Sequence, residues 1–397
     1  MDWNFLIKDK ESLNVTTDSR KVVPGCIFVA LKGEHFDGND FVEQARKDGA
    51  AYVICGENAL AELQDLARAW RRELGIPVIG ITGTNGKTTT KELCAAVLAT
   101  KFNLYYTQGN LNNQLGVPLT LLSITRAHEM AIVEMGASHA GDIRELVEIA
   151  EPNYGLITNV GKAHLQGFGS FEGVMRTKRE LYDYIAAHDG IIFRNHDNPY
   201  LEQMQKEAET ACGKRVRHIT YPTGPMLPDT HLVGDYNSEN IQAALCVGLT
   251  FGVPVSDGEK AIRAYVPSNN RSQFMQTEHN TVVVDAYNAN PTSMTAAIEA
   301  FSRSSRQQPA CYILGAMREL GEYSRLEHQN IVNMLLERKA DKVLLVGGEY
   351  KDTTAPYPVF DDVGALAEHL RREPLHGWHI LLKGSRSNQL EKVIPLL

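Results

Sequence analysis

An α/β protein of three domains is predicted by three observations. Short apolar runs of strand length alternate with stretches of helical periodicity. One such run, Val78 to Thr82, opens through the turn Gly83-Thr84-Asn85-Gly86 into a helical pattern, the layout of a phosphate-binding loop, or P-loop. The third is length, since 397 residues exceed what one ordinary core accommodates. The chain divides into a small N-terminal α/β domain over 1–76, a central P-loop domain with a mostly parallel sheet over 77–265, and a C-terminal Rossmann-like α/β domain over 266–397.

In the first domain, strand patterns at Ile27 to Leu31 and Ala51 to Cys55 alternate with helical ones around Phe41 to Lys47 and Ala59 to Leu74. Turns carrying Ser19, Arg20 and Lys32 surround these strands. The second domain begins with the loop. Gly83 and Gly86 remove the Cβ that would hold backbone N-H groups away from a polyphosphate, Lys87 neutralises the outer phosphates, and the Thr88 hydroxyl is placed for Mg²⁺. Thr84, Asn85 and Thr89 complete the nucleotide-binding set, and Ile81 stands where the commonest loop spacing has glycine. Gly109 to Pro118 then forms an irregular loop with Asn110, Asn112 and Asn113. The strand Met130 to Glu134 ends in a carboxylate, where a phosphate site needs a Mg²⁺ ligand. Gly155 to Val160 is a further strand followed by His164, and Lys178 lies on the helix Phe171 to Ala186.

From Gly190 to Asp229 the periodicity weakens and Pro222, Pro225 and Pro228 mark a connection, which leaves the edge of the central sheet unassigned. Asn240 opens the helix Ile241 to Phe251. In the third domain, strand patterns at Thr281 to Val284, Ala310 to Leu314, Lys342 to Val346 and His379 to Leu382 alternate with helices. Polar turns precede or follow them: Ser268 to Gln273 with Arg271, Asp285 to Met294 with Tyr287, Asn288 and Asn290, and Leu314 to Gly321.

Bulk properties remove several function classes. With 40 Lys and Arg against 48 Asp and Glu the net charge is -8, which disfavours nucleic acid, while a small anion at one local site stays compatible. Six scattered cysteines without a C-x-x-C pair read as buried apolar residues in a reducing compartment. The start carries no signal-peptide pattern and no stretch is long enough to span a bilayer, so a cytoplasmic location is expected.

The segment Thr82-Gly83-Thr84-Asn85-Gly86-Lys87-Thr88-Thr89 resembles the loop of the Mur ligases, ATP-dependent amide-forming enzymes of peptidoglycan precursor synthesis, and of their folylpolyglutamate synthetase relatives. The likeness extends over nearly the whole chain. Gly109-Asn110-Leu111-Asn112-Asn113-Gln114-Leu115-Gly116-Val117-Pro118 and Asp285-Ala286-Tyr287-Asn288-Ala289-Asn290-Pro291 resemble the branch that adds D-alanyl-D-alanine to a UDP-N-acetylmuramoyl-tripeptide through an acyl phosphate. The resemblance implies that Ser19, Arg20 and Lys32 lie near the uridine nucleotide, that Glu134 and His164 hold two Mg²⁺ ions, and that Lys178 is carbamylated into an anionic metal ligand. It implies further that Asn240 meets adenine, Arg271 the γ-phosphate and Asp285 the ribose, with Tyr287, Asn288 and Asn290 on the nucleotide and dipeptide side of the cleft. The third domain is expected to close over the nucleotide, and the protein to act as a monomer. Tyr236 departs from the pattern, since relatives place histidine there. Two alternatives stay open: a ligase of the same superfamily with another acceptor, and a nucleotide-dependent binding protein without chemistry.

Overall fold

The computed structural model describes residues 2–34, 36–267, 271–304 and 308–397; Ser268 to Asn270, quoted above, fall outside them. The N-terminal strands β1 (Val15–Thr16), β2 (Ile27–Val29) and β3 (Tyr52–Ile54) form a parallel three-stranded sheet in that order. It carries helices α1 (Asn4–Ile7), α2 (Val42–Lys47) and α3 (Ala59–Leu74). In α3 the buried positions Ala59, Leu63, Leu66, Ala67 and Trp70 recur at three and four residues, giving one apolar face, and Gly75 at φ +64° ends the helix.

The central unit runs β4 (Val78–Thr82), α4 (Lys87–Leu98), β5 (Leu104–Tyr106), α5 (Gly116–Leu122), β6 (Met130–Glu134), α6 (Asp142–Ala150), β7 (Tyr154–Ile157), α7 (Leu165–Phe168), α8 (Phe171–Ala187), β8 (Ile191–Asn195), α9 (Pro199–Cys212), β9 (Arg217–Tyr221), α10 (Asn237–Thr250) and α11 (Val255–Ala264). Its six strands are all parallel, in the order β5-β6-β4-β7-β8-β9. Chain order therefore reverses beside β4, and such a switch point leaves a crevice beyond the carboxyl ends of the strands. Every residue of β4 and β6 is buried, which explains why both read as unbroken apolar runs.

The stretch after Gly190 corrects the sequence expectation. It is no bare connection: β8, α9 and β9 lie within it and complete the sheet edge. β9 escaped notice because Arg217-His218-Ile219-Thr220-Tyr221 is an edge strand, exposed along most of its length and without apolar alternation. The helix between is framed by local signals, Asn198 accepting from Tyr200 N and Leu201 N with Pro199 behind it, and Gly213 at φ +70° after it.

The third unit contains β10 (Gln273–Gln276), β11 (Thr281–Asp285), α12 (Pro291–Arg303), β12 (Ala310–Gly315), α13 (Ser324–Glu337), β13 (Lys342–Val346), β14 (Val359–Phe360), α14 (Val363–Arg372) and β15 (His379–Lys383). Sheet order is β10-β11-β15-β12-β13-β14, parallel except for the β10–β11 pair. Two apolar clusters, one on each face, belong to this sheet. Among the described residues no helix is long and apolar enough to cross a membrane.

Candidate active site

The loop after β4 is held by what lies opposite it. A Cβ on Gly83, at φ +145°, would sit 2.0 Å from Thr158 Oγ1, and one on Gly86, at φ +79°, would sit 2.6 Å from Asn240 Oδ1. Both glycines are therefore required by close approach as well as by φ. Residues following β7 lace the loop: Thr84 N donates to Asn159 O at 3.0 Å, Asn85 N to Asn159 Oδ1 at 3.0 Å, and Thr158 Oγ1 to Asn85 O at 2.6 Å. No side chain caps α4, which leaves its first N-H groups for an anion. Lys87 Nζ donates to Gly83 O at 2.7 Å and Thr84 O at 3.0 Å. Desolvation lowers its pKa to about 8, with Glu134 opposing and Arg271 adding to the shift.

Glu134 stands beside the loop at the end of β6. Its Oε1 accepts from Thr88 Oγ1 at 3.2 Å and from Asn112 Nδ2 at 2.8 Å. Oε2 is buried without a hydrogen-bond partner, although Lys91 Nζ lies 3.5 Å away. Burial by itself would raise this carboxyl, but Lys91 and Lys87 outweigh it and hold the group below the ordinary carboxylate range, hence ionised. An orphaned buried carboxylate oxygen next to a hydroxyl is a donor set that suits a hard cation such as Mg²⁺. Among the described residues no three His, Cys, Asp or Glu gather around one point, so further ligands of such an ion would be phosphate oxygens and water, as Mg²⁺ commonly takes.

His164 precedes α7 in a left-handed conformation, φ +49°, and its Nδ1 bonds the carboxylate of Glu319 from the third unit. Burial lowers its pKa, against the pull of Glu319. Lys178 is 2% exposed on α8, with Nζ 5.7 Å from the centre of the Phe168 ring. Burial takes this amine well below the usual lysine range, and repulsion from Lys87 adds to it.

The opposite wall comes from the third unit. The Arg271 guanidinium lies 3.8 Å from the centre of the Tyr287 ring, and its Nε is buried without a partner. Asp285, at the end of β11, accepts from Lys383 Nζ at 2.6 Å; the same ammonium reaches Asn288 O at 3.2 Å. A cleft of about 710 Å³ runs between the walls, lined by Thr84 to Thr89, Asn110, Asn112, Asn113, Glu134, His164, Asn240, Arg271, Asp285, Tyr287 and Asn288 among others. Asn240 accepts from Thr90 Oγ1 at 2.9 Å, which fixes it against α4.

Some expected residues stand elsewhere. Gly83 and Lys178 sit behind the lining rather than in it. Asn290 caps α12, accepting from Ser293 N at 2.8 Å, while its amide donates to Asn85 Oδ1 at 2.8 Å and ties the third unit to the loop. Ser19, Arg20 and Lys32 do not line the cleft; Arg20 is exposed and paired with Asp18 at 2.8 Å. Tyr236 lines it, and its hydroxyl meets Ser272 Oγ at 2.7 Å. Sequence reading includes Glu319 and Lys383 within the turns that match the family but gives neither a role; both line the cleft, Lys383 at the end of β15 and Glu319 after β12, the position that flags them. Lys91 likewise stands in the loop stretch without a role, because its partner Glu134 lies on a different element, β6.

Comparison with known proteins follows the same three units. Residues 13–93 match the model "Mur ligase family, catalytic domain", 81–248 the "Mur ligase middle domain", and 270–386 the "Mur ligase, glutamate ligase domain". The UDP-N-acetylmuramoyl-tripeptide–D-alanyl-D-alanine ligase of Bacillus subtilis (strain 168) is 32% identical, over 96% of this chain and 92% of its own length. The enzyme of the same name from Escherichia coli (strain K12) is 33% identical, over 96% and 93%. Among solved structures, MurF from Acinetobacter baumannii superposes with a TM-score of 0.84 at 28% identity, covering 96% of this chain and 92% of that one. MurF ligase from Thermotoga maritima in complex with ADP gives 0.84 at 27% identity, covering 98% of each.

Proposed function

The chain belongs to the Mur ligase family, and we infer from that membership and from the cleft that it joins D-alanyl-D-alanine to a UDP-N-acetylmuramoyl-tripeptide in an ATP-dependent ligase reaction. The observation that carries the reading is convergence: Lys87 and Thr88 on the loop, Glu134 on β6, and Arg271 and Asp285 from the third sheet all face one cleft.

A carboxylate is a poor acyl donor because oxide is a poor leaving group. The peptide carboxylate attacks the γ-phosphorus of ATP, ADP departs, and an acyl phosphate forms. The neutral amine of the dipeptide then attacks the acyl carbon, its nitrogen gives up one proton to the departing phosphate or to water, and the tetrahedral intermediate expels phosphate to leave the amide. Lys87, which now donates to loop carbonyls, turns to the phosphate oxygens; Arg271 meets the transferring group from the other wall. Asn240 takes the adenine and Asp285 the ribose, with Lys383 orienting the carboxylate. Asn110, Asn112, Asn113, Tyr287 and Asn288 form the peptide side, while Ser19, Arg20 and Lys32 hold the uridine nucleotide on the N-terminal unit. On this reading residues 1–76 bind the UDP substrate, 77–265 ATP, and 266–397 complete the ligase site.

Thr88 and Glu134 would hold one Mg²⁺, and His164 with Lys178 a second; bound there, the ions would neutralise charge on phosphate oxygens. For that role Lys178 must become an anion. Its buried, readily neutral amine adds to CO₂, forming an N-C bond and releasing a proton to leave a carbamate. Contacts between the second and third units shut water away from the acyl phosphate, which water would hydrolyse.

Phosphate release from ATP and Mg²⁺ tests the reading, measured with UDP-N-acetylmuramoyl-tripeptide, with and without D-alanyl-D-alanine. Release that requires both, with a product heavier by the dipeptide, is expected. Release driven by a single amino acid or a folate would reassign the acceptor, and release without any acceptor dependence would remove the ligase reading.

A further inference from the structure

Lys91 lies one helical turn beyond Lys87 on α4 and is 1% exposed, yet neither the loop chemistry nor the steps above use it. Its Nζ stands 3.5 Å from Glu134 Oε2 and 5.7 Å from the centre of the Tyr106 ring. Oε2 is the oxygen that has no hydrogen-bond partner, because Thr88 and Asn112 both engage Oε1. The charged side chains that most strongly hold Glu134 ionised are cations, Lys91 first, then Lys87 and Arg271. One buried carboxylate thus answers to three positive groups.

That excess sets a condition on metal entry. A bare divalent cation arriving at Oε2 would meet the Lys91 ammonium that already stands 3.5 Å from that oxygen, in surroundings that screen poorly. A nucleoside polyphosphate changes the balance, since it brings its own negative charge and engages Lys87 and Arg271. Lys91 remains behind Glu134, held by the packing of α4.

We propose that Lys91 is a built-in counter-ion of Glu134, a positioning residue that closes the first metal position to free divalent cations and opens it only to a metal–nucleotide complex. The proposal deepens the reading given above, since it rests on Thr88 and Glu134 as the metal position. A purely structural pair would behave differently. It would lose stability when Lys91 is removed, with no gain in metal binding.

The test is Mn²⁺ binding to the full chain, followed by the spectroscopic signal of free Mn²⁺ with and without a non-hydrolysable ATP analogue. Wild-type protein should take up Mn²⁺ at this position only with the analogue. Lys91→Met should tighten analogue-free Mn²⁺ binding by about tenfold or more, as expected from deleting one close charge at low dielectric. Lys91→Arg should restore the wild-type behaviour, and adding Glu134→Gln to Lys91→Met should abolish the gained site. Equal Mn²⁺ affinity of wild type with and without the analogue overturns the proposal, as does unchanged analogue-free affinity in Lys91→Met. Where Lys91→Met fails to fold, Lys91→Gln takes its place under the same criteria. Failure of the ligase reading registers separately, as phosphate release that ignores both peptide substrates while these titrations stand.

Discussion

The seam that joins the first unit to the second and the seam that joins the second to the third are built from opposite materials. Across the first, α3 inserts into the core of the central domain: Leu63, Leu66, Ala67 and Trp70 share one apolar cluster with Val117, Leu121, Ile143 and Leu146. Polar groups there are buried and matched, Trp70 Nε1 donating to Ile124 O at 2.9 Å and Arg71 to Ala150 O, Glu151 O and Asn153 Oδ1 at 2.8–3.1 Å. Across the second seam the contacts are mostly polar, Val233 being an apolar residue that packs on the third unit's core: Asn290 to Asn85, Lys162 N to Thr292 Oγ1 at 3.0 Å, Lys162 to Glu327, His164 to Glu319, and Tyr236 to Ser272. Apolar burial is lost in full when surfaces part, whereas hydrogen bonds are re-formed with water. By this measure the second seam costs less to part than the first, which suits a site that must admit nucleotide and then exclude water.

The comparison breaks most visibly at Trp70. Trp70→Ala should cost about 3–5 kcal/mol, as large core truncations do, and should lower the melting of the first and second units together while the third is unaffected. Calorimetry that resolves the first two units as separate transitions would overturn the shared core. Next in size is a titration at the loop that faces the second seam. Lys87 loses its charge as pH rises through about 8, and an anion favours the charged form, so ADP without divalent metal should bind with constant affinity below that pH. Above it the affinity should weaken by up to about tenfold per pH unit. A flat profile between neutral pH and one or two units above 8 would contradict the assigned environment. Asn290→Ala should lower stability of the third unit by about 1 kcal/mol through the lost cap. Because it also cuts the tie to Asn85, it should raise KM for ATP severalfold with a smaller change in kcat. The smallest effect belongs to Lys162→Ala, where the ion pair of the half-exposed Lys162 with the buried Glu327 is worth about 0.5–1 kcal/mol and should weaken in high salt.

What could be read from the sequence follows the range of the forces involved. α3 was legible to the residue because its apolar face, its period and Gly75 are local. The loop from Gly83 to Thr89 was legible because a phosphate cradle needs glycines, a lysine and a hydroxyl in one short run. The α/β class followed from the alternation of strand and helix, and the family from the motifs Thr82 to Thr89, Gly109 to Pro118 and Asp285 to Pro291. β9 was not legible, because an edge strand facing water carries no periodic mark. Neither were Lys91, Glu319 and Lys383, whose meaning depends on partners chosen by tertiary packing. Asn290 shows the converse: its cap is written locally in Asn290-Pro291-Thr292-Ser293, but its bond to Asn85 spans 205 residues.

The insertion of α3 gives the molecule the geometry of a calliper. One jaw, the unit bearing Ser19, Arg20 and Lys32, is fixed to the frame that carries the phosphate loop, and the other meets that frame through mostly polar contacts. If uridine is gripped by the fixed jaw, the distance from nucleotide to reacting carboxylate is gauged before closure begins. A peptide stem one residue too short or too long then presents its carboxylate out of register, whatever the moving jaw does.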